Sequence, residues 1–188
     1  MSVAHILHIA LWSNNLVDSE KTLEWYYSDC VNAGPNVCPI WKPTVSEIKQ
    51  RINTLLERLK IAPIPFINST TGEFGIVDYS VAKTLLFQTM YGPHQNGADT
   101  AHAFAALEAG DAQPMWNLSN SATLERAMEA SCLPELASYD FDDVSLIAVS
   151  CGDGDPVEPS LDELRQFYAK LAQQSVFAEG WGIHLLCA

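Results

Sequence analysis

The segment from Thr44 to Leu59 constrains the fold most. Thr44 and Glu47 have the spacing of a capping box, in which a hydroxyl and a carboxylate three residues apart satisfy the first free N–H groups of a helix. Val45, Ile48, Ile52, Leu55, Leu56 and Leu59 then fall on one stripe of a 3.6-residue period, until Pro63 and Pro65 end the run. An amphipathic helix with that stripe must bury it against neighbours. Further helices are the nearest candidates. From Asp18, a good N-cap, Leu23, Tyr26, Tyr27, Cys30 and Val31 recur at helical spacing up to Gly34-Pro35. Val81, Leu85, Leu86 and Met90 repeat the pattern up to Gly92-Pro93, and Ala101, Phe104, Ala105 and Leu107 repeat it up to Gly110.

Strand signals are fewer. PFINSTTGEFGIVDY reads as two short strands about a polar, glycine-containing turn, a hairpin near residues 64–78 that is marginal alone and has to dock. VSLIAVS, residues 144–150, is apolar and β-rich. It leads into the acidic turn CGDGDPVEPS, and Ser160 and Glu163 have capping-box spacing at the start of a long amphipathic helix. DAQPMWNLSNSA, residues 111–122, reads as an exposed polar connection, and a short helix is expected from Thr123 to Cys132. The expected class is therefore mostly α with minor β: a helical region over 1–143, then a strand, acidic turn and helix over 144–188. A lone buried strand makes no sheet, so it either pairs with the hairpin or has partners outside this chain.

Charge narrows the function. Ten Lys and Arg against 23 Asp and Glu give a net charge of -13, which repels phosphate backbones and anionic lipid surfaces, so neither nucleic acid nor a membrane is expected as a partner. With 48 % hydrophobic residues in 188, the chain has enough apolar material for a real core. No apolar run approaches the roughly 20 residues that span a bilayer. The opening MSVAHILHIALW lacks a basic leader region and carries two histidines.

Four of the five cysteines form plausible local pairs, Cys30 with Cys38 around a Gly-Pro turn and Cys151 with Cys187 around the last helix, leaving Cys132 over. Five reduced thiols are the alternative. Asn68-Ser69-Thr70 and Asn117-Leu118-Ser119 both have the form of glycosylation sequons.

Catalytic signatures are missing. The sequence contains no G-x-S-x-G elbow, no phosphate-binding glycine loop, no H-E-x-x-H and no dinucleotide fingerprint. Asp153, Asp155 and Glu158 resemble the start of a calcium loop, but Pro156 and Val157 stand where that loop needs a ligand and its turn glycine. These carboxylates are better read as bonding to their own turn, with Glu158 and Asp162 near a helix N-terminus. His5 with His8, and His94 with His102, make at most half a metal site, so no metal or other cofactor is expected. Trp12 beside Asn14 and Asn15 suits a polar pocket wall, and equally suits a helix-ending turn.

At LWSNNLVDSEKT, followed by Cys30, GPNVC, CGDGDPVEPSLDELRQFYAKLAQQSVF and the IHLLCA ending, the chain resembles the fungal branch of the tripeptidyl-aminopeptidase-like α/β-hydrolases. The resemblance spans nearly the whole sequence. It implies a helical cap, or lid, over the active site of a serine peptidase or esterase acting on short peptides or esters, rejoining the hydrolase core near residue 144. It also implies secretion and both cysteine pairs. The nucleophile elbow would precede Met1 and the remaining triad residues would follow Ala188, so no catalytic residue is expected within the chain and the missing core becomes a possible partner. Trp12, Asn14 and Asn15 are then the candidates for the substrate-pocket wall. The competing expectation is a stand-alone, non-catalytic binding or interaction protein derived from such a cap.

Overall fold

A computed structural model of the chain describes residues 15–120, 148, 149, 151, 152 and 160–181. The described part is mostly helical with one two-stranded antiparallel sheet, and it divides into two units. One unit is Lys21–Ala137; the other combines Met1–Glu20 with Ser138–Ala188.

In the Lys21–Ala137 unit, α1 (Ser19–Ala33, its first two residues belonging to the other unit) buries Leu23, Tyr26, Tyr27 and Cys30. It stops where glycine permits a left-handed turn: Gly34 has φ +81° and its N–H reaches the Cys30 carbonyl at 3.3 Å. The turn brings Cys38 back to Cys30, and the two form a disulfide with Cα atoms 5.3 Å apart. Closing so short a loop stabilises the fold by about 2–3 kcal/mol in the chain-entropy picture. α2 (Val45–Ile61) follows with half of its capping box made, the Thr44 hydroxyl oxygen accepting from Glu47 N–H at 3.2 Å while the Glu47 carboxylate accepts from that hydroxyl. Ile48, Ile52, Leu55, Leu56 and Leu59 are all buried, as the stripe requires.

The hairpin forms as expected. β1 (Ile64–Ile67) pairs with β2 (Phe74–Val77) in the register Ile64↔Val77, Pro65↔Ile76, Phe66↔Gly75 and Ile67↔Phe74. Opposed residues share a face, so one face carries Phe66 and Val77, both buried, while Ile67, Phe74 and Ile76 of the other are exposed. The inner face packs on α5 (Gln113–Asn120) through Trp116, whose ring centre lies 5.3 Å from that of Phe66. Gly75 makes this approach possible. A Cβ there would stand 2.7 Å from the Phe66 ring and 2.8 Å from the Trp116 ring. Trp116 Nε1 also donates to Glu73 Oε1 at 2.8 Å.

α3 (Tyr79–Thr89) begins with the Asp78 carboxylate accepting from Val81 N–H at 2.9 Å. Its buried residues are Ala82, Leu85, Leu86 and Thr89, with the expected Val81 and Met90 at the margins of that face. Gly92-Pro93 breaks the helix as anticipated, yet Pro93 also starts α4 (Pro93–Glu108), because a missing N–H does no harm in a first turn. α3 packs on α4, and the buried Thr89 and Thr100 hydroxyls satisfy one another at 2.8 Å. α1 is tied to α4 by the Tyr26 hydroxyl, which donates to the Gly97 carbonyl at 3.0 Å.

Of the polar connection expected over 111–122, the described residues 111–120 depart from that expectation. Gln113–Asn120 is helical, with Ala112 and Met115 fully buried. The Asp111 carboxylate accepts from Gln113 N–H at 3.0 Å and supplies the start signal, while Pro114 sits in the first turn where proline is tolerated. Polar composition hid a helix that buries mainly one methionine.

In the other unit, α6 (Leu161–Gln174) starts where the Ser160-Glu163 spacing placed it, but Ser160 makes no side-chain capping bond. Acidic residues take over the first turn instead: Asp162 and Glu163 lie by the positive helix end, and Arg165 meets Asp162 at 3.3 Å. The helix ends at Ser175, whose buried hydroxyl lies 2.7 Å from the Ser19 hydroxyl. Glu20 accepts from Val176 N–H at 2.8 Å, and Leu16, Leu171 and Phe177 are buried. Of the strand expected over 144–150, Ala148 and Val149 are described, and both are helical, as are Cys151 and Gly152. A short apolar run does not by its periodicity separate a buried strand from a helix, which is how the two were confused. The other residues of that run, the acidic turn at Asp153, Asp155 and Glu158, and the short helix at Thr123 lie outside the described residues. Cys151 is disulfide-bonded, and its expected partner Cys187 also lies outside them.

Candidate functional site

The polar side of α2 builds a concavity in the Lys21–Ala137 unit. Glu47, Arg51, Thr54 and Arg58 are spaced along one helix face, and they meet Lys42 from the preceding loop and Glu108 from the end of α4 around a groove of about 410 Å³. Arg51 holds the groove together. Its Nε donates to both Glu108 oxygens, at 3.0 and 3.3 Å, and one terminal nitrogen donates to the same carboxylate. The other terminal nitrogen donates to the Pro39 carbonyl at 3.2 Å, which fastens the loop beside the disulfide. Arg58 donates to the Leu107 and Glu108 carbonyls at 3.4 and 3.3 Å, placing a cation on the last turn of α4 where free carbonyls and the helix dipole favour it.

Electrostatics follow from this placement. The hydrogen bond from Arg51 holds the Glu108 carboxyl below the usual range, burial pushes the other way, and the charges of Arg51, Arg58 and Lys42 add to the lowering. Both arginines are therefore committed to the frame. Lys42 and Glu47 are exposed; among the described residues Lys42 has no hydrogen-bond partner, while the Glu47 carboxylate accepts from the Thr44 hydroxyl at 2.7 Å. Thr54 donates its hydroxyl proton to the Gln50 carbonyl at 2.8 Å. The groove offers charges of both signs and a short apolar floor at Leu55, which suits a small zwitterionic or carboxylate-bearing ligand. The Thr54 hydroxyl, the one in its lining, is not held by a base.

The residues proposed from sequence for the pocket wall are only partly described. Asn15 is exposed on a 3₁₀ turn, and Trp12 and Asn14 lie outside the described residues. Asn15 belongs to the unit containing Met1–Glu20, and the groove belongs to the other. His94 and His102 are both exposed, and the described residues contain no group of three or more His, Cys, Asp or Glu able to hold a metal ion. No described helix is long and apolar enough to cross a membrane. The groove itself was missed in the sequence. The available signal was the row of polar and charged positions opposite the Ile48–Leu59 stripe, which reads as an ordinary solvated face until Glu108 is brought against it. No protein-family model matches the chain, and no curated protein or solved structure matches it either.

Proposed function

We propose that the chain is the substrate-selecting cap of a serine α/β-hydrolase resembling the tripeptidyl aminopeptidases, acting on short peptides or esters and non-catalytic by itself. The observation that supports this reading most is the Cys30–Cys38 disulfide within a mostly helical unit carrying one small hairpin. A disulfide-bonded helical cap is what the resemblance implies. In this reading Trp12, Asn14 and Asn15 contribute to the pocket wall, and nucleophile, base and oxyanion donors come from hydrolase segments outside these residues, since acyl transfer needs all of them within hydrogen-bond reach. The isolated chain should neither react with a fluorophosphonate serine probe nor release the dye from short peptide anilides. Specific labelling or turnover would overturn the reading, as would coding DNA on both sides that lacks an upstream G-x-S-x-G and a downstream Asp and His.

The second reading is a stand-alone binding protein, and the groove favours it: its walls come from one unit and are held by that unit's own Arg51–Glu108 pair. Size-exclusion chromatography with a thermal melt separates the two. A cooperative melt and a monomer once Phe74 and Ile76 of the hairpin's outer face are replaced by threonine support the binding protein, and association that survives those replacements supports the cap.

A further inference from the structure

The tip of the hairpin carries a group that the hydrolase reading does not use. Asn68 closes the turn with its backbone, donating to the Glu73 carbonyl at 2.7 Å and accepting from Gly72 N–H at 2.8 Å. Gly72 takes φ +76°, the left-handed conformation this turn requires. The Asn68 side chain is held by one end only. Its Oδ1 accepts from Thr70 N–H at 3.0 Å and Thr71 N–H at 3.3 Å, whereas among the described residues no acceptor takes a proton from Nδ2. Ser69 to Glu73 are all exposed, and the Thr70 hydroxyl has no partner among the described residues. A carboxamide nitrogen is thus presented at an open turn, with a free hydroxyl two residues on.

A separate observation bears on the compartment. Cys30 and Cys38 are joined, and Cys151 is also disulfide-bonded, the usual state of cysteines in a chain that matures in an oxidising lumen. That lumen is also where asparagine in Asn-x-Ser/Thr is glycosylated. The two sequons differ as acceptors. Asn117 lies within α5 and the hydroxyl of its Ser119 is spent on the Trp116 carbonyl at 3.1 Å, while Asn68 lies in a turn with Thr70 unengaged.

We propose that Asn68 is an N-glycosylation site, taking an oligosaccharide from a lipid-diphosphate donor through a host transferase. The Nδ2 atom forms a bond to the anomeric carbon of the sugar as the carbon–oxygen bond to the diphosphate breaks. The lipid diphosphate leaves with that electron pair, and one Nδ2 proton passes to the transferase's base. The product keeps Oδ1 and one N–H, so both bonds from Thr70 and Thr71 survive and the hairpin is unchanged. This inference does not depend on the hydrolase reading.

The test translates the full chain, behind a cleavable secretory leader, in the presence of microsomes, and maps the protease-protected product by mass after peptide N-glycosidase treatment in heavy-oxygen water. The label is expected at position 68, with loss of the glycan from Asn68 in Asn68→Gln and in Thr70→Ala, and its retention in Thr70→Ser. Thr70→Ala keeps the backbone N–H that bonds Asn68 Oδ1, so it reports on the acceptor hydroxyl without opening the turn. A protected, disulfide-bonded chain bare at Asn68, or one labelled at Asn117 alone, would overturn the assignment.

Discussion

Arg51 is the residue whose removal should be felt most widely. It joins a carboxylate 57 residues away and supports the Pro39 carbonyl with a side chain only 20 % exposed, against 38 % for Glu108. Partial exposure screens the charge interaction, so the expected loss for Arg51→Ala is about 1–2 kcal/mol, more than a surface pair and less than a buried one. Chemical denaturation measures it; a change within about 0.5 kcal/mol, ordinary for a surface substitution, would show the pair to be ornamental. The same pair sets a pH dependence. Because the folded Glu108 carboxyl titrates below its unfolded value, its stabilising contribution is fully present above the unfolded value, about 4.3, and is lost as pH falls through the lower folded one. Melting temperatures of the parent and Glu108→Gln should therefore differ near neutrality and converge on acidification. Parallel curves would refute the linkage.

The contact between α1 and α4 depends on what a glycine lacks. At Gly97 a Cβ would stand 2.9 Å from the buried Tyr26 ring, which is itself anchored by its hydroxyl to the Gly97 carbonyl and has little freedom to retreat. Alanine in a helix normally gains about 1 kcal/mol over glycine. Here overpacking of about 1–3 kcal/mol opposes it, so Gly97→Ala is expected to lower the melting temperature. In a Tyr26→Leu background, where the ring is gone, the same substitution should be neutral or favourable; an equal penalty in both backgrounds would exclude the ring as its cause. Burial holds the Tyr26 phenol well above its ordinary titration range, so the hydroxyl keeps its proton to donate across the pH range of such measurements. Elements of this kind were legible to different degrees. The α2 stripe, the Gly34, Gly92 and Gly110 breaks and the hairpin all write themselves into local spacing, which is why they were read correctly. α5 was not, because a single turn signal at Asp111 and one buried Met115 leave almost no period to detect. The groove was not either, since an arginine on α2 and a glutamate at the end of α4 show no local relation until the chain has folded.

At the scale of the molecule, the hairpin poses a problem that its own unit solves on one side only. Phe66 and Val77 are covered, but Ile67 is 77 % exposed, Phe74 76 % and Ile76 58 %, all on the opposite face of the same two strands. The sheet has just these two strands among the described residues, so each strand also presents an edge. On β1 the edge is blunted by Pro65, which has no N–H to offer; β2 has no such residue. An apolar face joined to an open edge is a template for association, so the chain at high concentration should self-associate through β2. Replacing Phe74 and Ile76 by threonine keeps β-propensity and removes the apolar surface without touching the inner face. Light scattering coupled to size exclusion should then show a smaller associated fraction, while stability moves by about 0.5 kcal/mol per site, as expected of largely exposed positions. If the doubly substituted chain associates as the parent does, the contact lies elsewhere. If it unfolds, the outer face is holding the hairpin to its own unit.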